Sequence, residues 1–125
     1  MLASELRIYK DCYQLVSELL AWKNNMPRMF RYDLGEKMIN TALGLFDLIQ
    51  YANMSIETRA KYLNQFIVKF ELLKTILRLC FERQLFTLKQ QAEICRLTSL
   101  IGKQAMAWKS GAEKSRRQER KSSVG

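Results

Sequence analysis

The sequence predicts an all-α fold, an antiparallel up-down-up-down four-helix bundle, on three observations. Five glycines and one proline in 125 residues supply too few turns for an all-β chain. Apolar residues make up 48% and charged residues 26%, enough to bury one core while keeping the outside wet. The apolar residues then recur at intervals of three and four in four successive segments, the period of a helix with one buried face. A chain of this length forms a single domain. Its longest apolar runs are a handful of residues, against the ~20 needed to cross a bilayer. Residues 1–10 lack the apolar stretch of a signal peptide, so a cytoplasmic location is expected.

The first helix is expected over about residues 3–25, with Ser4 as N-cap and Leu6, Tyr9, Tyr13, Val16 and Leu20 facing inward. Asn24, Asn25 and Pro27 end it, because proline disfavours helical geometry in the residue before it. A short, basic, aromatic loop follows over residues 26–32. Asp33 is placed as N-cap of the second helix, with Glu36 completing a capping box. Leu34, Met38, Ala42, Leu45, Ile49 and Ala52 form its stripe, and Asn53 closes it. The third helix is expected to begin at Ser55 or Ile56. Its stripe, Leu63, Phe66, Phe70, Leu73, Leu77 and Cys80, is the cleanest in the chain. Thr87 caps the fourth, where Ile94, Leu97, Ile101, Ala105 and Trp108 recur. Connections of a few residues make consecutive helices antiparallel neighbours. The bundle is assigned to residues 1–110, and residues 111–125 to a basic tail too polar to fold alone, expected to be a flexible arm.

The third helix carries a second apolar stripe. At about 100° per residue, Val68, Leu72, Ile76 and Leu79 fall roughly 140–220° from Leu63, opposite the core face. Ile39, Leu43 and Phe46 add to the second helix, and Ile8, Leu15, Leu19 and Trp22 to the first, more apolar surface than one bundle needs. A homo-oligomer is expected, with Val68, Leu72, Ile76 and Leu79 at its interface.

The formal charge is +9, from 21 lysines and arginines against 12 acids. Of this, +3 lies in residues 111–125, leaving a body that is basic without its tail. Such an excess attracts polyanions. Lys74 and Arg78 share a face of the third helix one turn apart. Lys89, Arg96 and Lys103 repeat every seven residues on the fourth, a line drifting about 20° per heptad. Arg28 and Arg31 flank Phe30 in the loop, and Arg116 and Arg117 lie in the tail. No helix-turn-helix, zinc finger or RNP-type aromatic signature is present, so binding is expected to address backbone phosphate with little sequence preference.

Catalysis is not expected. The chain has no histidine, which excludes histidine acid/base work and histidine metal sites. Its cysteines, Cys12, Cys80 and Cys95, are odd in number and form no CxxC pair, and the glycines are too scattered for a phosphate loop. Neither a cofactor nor a metal is anticipated.

Three stretches resemble a known family. Met26-Pro27-Arg28, continuing through Phe30-Arg31-Tyr32-Asp33-Leu34-Gly35-Glu36-Lys37, is similar to the proline-basic … Leu-Gly start of helix two in small bacterial four-helix-bundle proteins. Leu72-Leu73-Lys74-Thr75-Ile76-Leu77-Arg78-Leu79 resembles their two basic residues spaced four apart within an apolar helix. Ile101-Gly102-Lys103-Gln104-Ala105-Met106-Ala107-Trp108 is similar to their closing Ile/Val-Gly-Arg/Lys … Trp motif, with Met106 standing where glycine is frequent. Together these resemble the accessory variability determinant proteins of diversity-generating retroelements, a fold shared with proteins encoded in intervening sequences of 23S ribosomal RNA. The latter usually end helix two with an Asn-Ile-Ala-Glu-Gly-like run. Here it reads Leu48-Ile49-Gln50-Tyr51-Ala52-Asn53-Met54, which favours the retroelement branch. The resemblance implies a homopentameric barrel with a positive surface. It also implies binding of the element's reverse transcriptase and its template RNA or cDNA, in support of mutagenic retrohoming. By motif position it singles out Lys74 and Arg78, then Lys103; Arg28, Arg31, Lys89 and Arg96 rest on charge alone. Gly102 and Trp108 are expected to serve packing. The rivals are a helical protein–protein adaptor without nucleic-acid binding, and a binder of anionic membranes through Trp22, Phe30 and the tail. Membrane association is not the expectation.

Overall fold

The computed structural model describes residues 2–124, the side chains of 119 and 121–124 excepted. A 3-10 turn at Ala3–Glu5 leads into α1 (Arg7–Lys23), the single turn α2 (Arg28–Arg31), α3 (Leu34–Met54), α4 (Arg59–Glu82) and α5 (Leu88–Val124). No strand occurs among the described residues. α1 packs on α3 and α5, and α4 packs on the same two, so the four long helices close around one core.

α4 buries every member of its expected stripe: Leu63, Phe66, Phe70, Leu73, Leu77 and Cys80. Opposite it, Met38, Ala42, Leu45, Ile49 and Ala52 of α3 and Ile94, Leu97, Ile101 and Ala105 of α5 are buried too. Each such Leu, Ile or Phe contributes about 1.5–3 kcal/mol relative to an exposed one. Ile76 is corrected. It is 4% exposed and belongs to the core, while Val68, Leu72 and Leu79 do face outward. At roughly 220° it lies only ~40° from the edge of the core stripe, within reach of a neighbouring helix on that side.

α1 is turned from its expected register. Tyr13 is 64% and Leu20 47% exposed, whereas Ile8, Cys12, Leu15, Val16 and Leu19 are buried. The apolar residues of α1 fill one arc of roughly half its circumference, and Tyr13 and Leu20 lie at one edge of it. The structure buries the middle of that arc, and Tyr9 remains at the margin, its ring centroid 5.0 Å from that of Phe46.

The caps differ in kind. Ser4 lies inside the 3-10 turn, and Leu6 holds the N-cap of α1 without a side-chain bond. Asp33 occupies the N-cap of α3, but its side chain makes no capping bond. α4 starts later than expected, after Thr58. At this junction Arg59 Nε donates to Ala52 O at 2.7 Å and Nη2 to Asn53 O at 3.5 Å, binding the carbonyls at the end of α3. α4 ends with Gln84 at φ 55°, where Leu85 N–H donates to Cys80 O at 3.0 Å, a left-handed stop made without glycine. Thr87 and Gln90 then form a reciprocal capping box on α5: Gln90 N–H to Thr87 Oγ1 at 3.1 Å, and Thr87 N–H to Gln90 Oε1 at 3.0 Å. Thr87→Ala is expected to lower unfolding free energy by about 1 kcal/mol, read by urea titration.

The boundary expected at residue 110 falls inside α5. Ala112 is still buried, in a small cluster with Ala52, Ala60 and Leu63 that Tyr62 and Trp108 flank. The helix then continues to Val124, about 18 Å past Ala112 at 1.5 Å per residue. No helix among the described residues is long and apolar enough to cross a membrane.

Candidate nucleic-acid interface

Two grooves hold most of the candidate cations of the helical body. The first runs between α4 and α5, where Ile67, Phe70, Glu71 and Lys74 face Thr98, Gly102, Lys103 and Met106. Lys74 and Lys103, 29 positions apart in sequence, thus line one concavity. The Lys74 stem lies against Phe70, with Nζ 5.3 Å from the ring centroid and 2.7 Å from Glu71 Oε1. That ion pair is exposed on both sides, a geometry worth about 0–1 kcal/mol, so a phosphate can displace Glu71 at little cost. Arg78 follows one turn along the same face of α4, exposed and without an ion pair among the described residues. Gly102 forms part of the groove floor. A Cβ there would sit 3.7 Å from Phe70, ordinary contact, so the glycine keeps the groove open rather than permitting a close helix approach.

The second groove, between α1 and α5, is larger, ≈ 650 Å³ against ≈ 290 Å³, but carries both signs of charge. Glu18 and Trp22 of α1 face Lys89, Gln90, Glu93 and Arg96 of α5. Arg96 binds Glu93 with a two-pronged contact, Nη2–Oε1 2.6 Å and Nε–Oε2 3.0 Å. This fork holds the Glu93 carboxyl below the usual carboxylate range. Glu18 Oε2 is buried with no hydrogen-bond partner. A phosphate entering here would meet an unpartnered carboxylate oxygen and an arginine already engaged.

The heptad line Lys89, Arg96, Lys103 is therefore divided between two grooves. Over two heptads the drift reaches about 40°, enough to carry Lys103 from the α1 side to the α4 side.

A model of the bAvd-like family matches residues 6–112. The chain belongs to the bAvd-like family. The match spans the packed body of this bAvd-like chain, from the residue before α1 to Ala112, and includes both grooves. No curated protein and no solved structure matches it.

Elsewhere in the bAvd-like chain, Arg31 has a structural task. Its Nη2 donates to Asn24 O at 3.0 Å and Met26 O at 3.1 Å, tying α2 to the carbonyls just beyond α1. Its guanidinium is anchored to the backbone there, and Arg31 lines neither groove. Arg28 is exposed beside Met29 and stands apart from both grooves. Arg116 and Arg117 are exposed on the extension of α5. Two further cations went unnoticed in the sequence. Arg59, besides its carbonyl bonds, sits 5.7 Å over the Trp108 ring. Lys69 lies across α3 at Gly44, where a Cβ would come within 3.0 Å of its Nζ. Nothing in helical spacing marks either, because their partners are backbone carbonyls, a ring and a glycine.

The two core thiols offer little chemistry. Burial pushes Cys12 up to about 12, with Asp11 adding to the effect, and Cys80 to about 11 against the opposing pull of Arg83. Both are therefore protonated, unreactive core residues at neutral pH. Cys95 is exposed. Among the described residues no three His, Cys, Asp or Glu side chains gather to hold a metal.

Proposed function

We propose that this chain is a non-catalytic accessory protein of a diversity-generating retroelement. In this reading it binds template RNA, or the cDNA made from it, through backbone phosphates, and it holds the element's reverse transcriptase during mutagenic retrohoming. Membership in the bAvd-like family supports the accessory role and the association with retroelement machinery. The observation that carries nucleic-acid binding is the α4–α5 groove, where Lys74 and Lys103 meet with Arg78 alongside and one exposed acid, Glu71, between them. Lys89 and Arg96 contribute less, since Glu18 and Glu93 balance them. The four helices run up-down-up-down, and five protomers in the cytoplasm form a barrel through the outer face of α4, where Val68, Leu72 and Leu79 are exposed. A ring multiplies the +9 of each protomer, and with it the attraction for a polyanion.

The test is fluorescence anisotropy of a structured RNA titrated with the protein at several salt concentrations. Affinity that falls linearly with log salt supports the reading. Absence of binding at low salt overturns it and favours a protein–protein adaptor, for which the apolar groove of Val68 and Leu72 would be the contact.

A further inference from the structure

Aromatic and basic residues also converge where α3 ends and α4 begins, away from the α4–α5 groove. Tyr51 stacks on Tyr62, ring centroids 5.1 Å apart and planes at 26°, yet remains 49% exposed. Lys61 Nζ stands 5.5 Å from the Tyr62 ring, and Arg59 covers Trp108. The cluster of Ala52, Ala60, Leu63 and Ala112 fixes α5 against this same end, with Tyr62 and Trp108 packed on it. Arg116 lies one helical turn beyond Ala112 and so continues that face with a positive charge. The last acid before Arg116, Glu113, is 3.9 Å from Lys109.

An open tyrosine ring already backed by a second ring offers a stacking surface at low entropic cost, and the Lys61 ammonium beside that second ring suits a chain of phosphates. A duplex hides the faces of its bases and cannot use such a ring; an unpaired strand can. We propose that Tyr51, backed by Tyr62 with Lys61 beside that second ring, is a stacking platform for single-stranded nucleic acid. This rests on the reading that the protein binds nucleic acid, but it assigns a separate place and a preference for unpaired bases. The phosphate groove between α4 and α5 accepts either form.

The full chain is titrated with a 12-nucleotide oligouridine and with an RNA duplex of equal length at one salt concentration. Tyr51→Leu keeps an apolar side chain and removes the ring; it is expected to weaken oligouridine binding about tenfold and leave the duplex unaffected. Tyr51→Phe keeps wild-type affinity, because the ring and not the hydroxyl stacks. Thermal melts confirm that both variants fold. Equal losses on both RNAs, or no loss on either, overturn the platform while leaving the groove reading in place. Tyr51-dependent binding of oligouridine without duplex binding leaves the platform and removes the groove. Failure to bind either RNA overturns both.

Discussion

In the double variant Lys74→Ala/Arg78→Ala, RNA affinity is expected to fall on the order of tenfold, and the slope of log affinity against log salt by about two units. Each cation that meets a phosphate releases roughly one counterion, so the change in slope measures how many phosphates are no longer neutralised. Removing Lys74 also frees Glu71, whose carboxylate is 2.7 Å from the ammonium, and that new repulsion weakens affinity further. Glu71→Gln in the same background separates the two effects. It restores the part of the affinity due to repulsion and leaves the slope low. Arg96→Ala is the comparison on the other side of α5. Arg96 is already engaged by Glu93 in a groove of no net charge, so its removal is expected to change the slope by well under one unit. An unchanged slope in the folded double variant would place the phosphate-binding surface elsewhere.

Phe66→Ala is expected to be the most damaging single core substitution of an aromatic residue. Phe66 is fully buried on α4 and stacks on Phe70 with centroids 6.0 Å apart. Truncation removes the ring's transfer energy and leaves a cavity, costing about 3–5 kcal/mol. Domains of this kind have about 5–15 kcal/mol in all, so Tm should drop by about 10–20 °C in a thermal melt. A drop of only a few degrees would mean that the helices collapse into the space. Val68, on the opposite face of α4, is 72% exposed. In an isolated protomer Val68→Ala should change stability by no more than about 0.5 kcal/mol. A larger loss at high protein concentration that shrinks on dilution would report a second copy seated on that face.

The two variants also mark how far the sequence could be read. Along α4 the six inward residues are apolar and the polar ones are confined elsewhere, so periodicity alone identifies Phe66 as core. α1 lacks that contrast. Its tyrosines and leucines share one broad arc, and only the positions of α3 and α5 decide that Leu15 in its middle goes inside and Leu20 at its edge outside. Ile76 is misplaced by its wheel angle for a related reason. A helical wheel measures angles about one axis and does not contain the neighbouring helix that covers the stripe's edge. At the interface, spacing within α4 pairs Lys74 with Arg78, and the closing motif points to Lys103, but their meeting across a groove is a tertiary fact. Arg31 resembles a phosphate ligand because its charge is visible in the sequence and its backbone acceptors are not. Thr87 is legible because both halves of a capping box are side chains at a fixed spacing.

The division of charge around α5 has a consequence before any contact is made. On the α1 side Glu18 and Glu93 offset Arg96 and Lys89, and Asp11 is tied to Gln104 at 2.6 Å. On the α4 side, and along the helix past Ala112, cations predominate. The protomer's centre of positive charge is therefore displaced from its centre of mass, which gives it a permanent dipole. Near a polyanion that dipole experiences a torque, so rotational diffusion is biased toward the orientation with α4 leading.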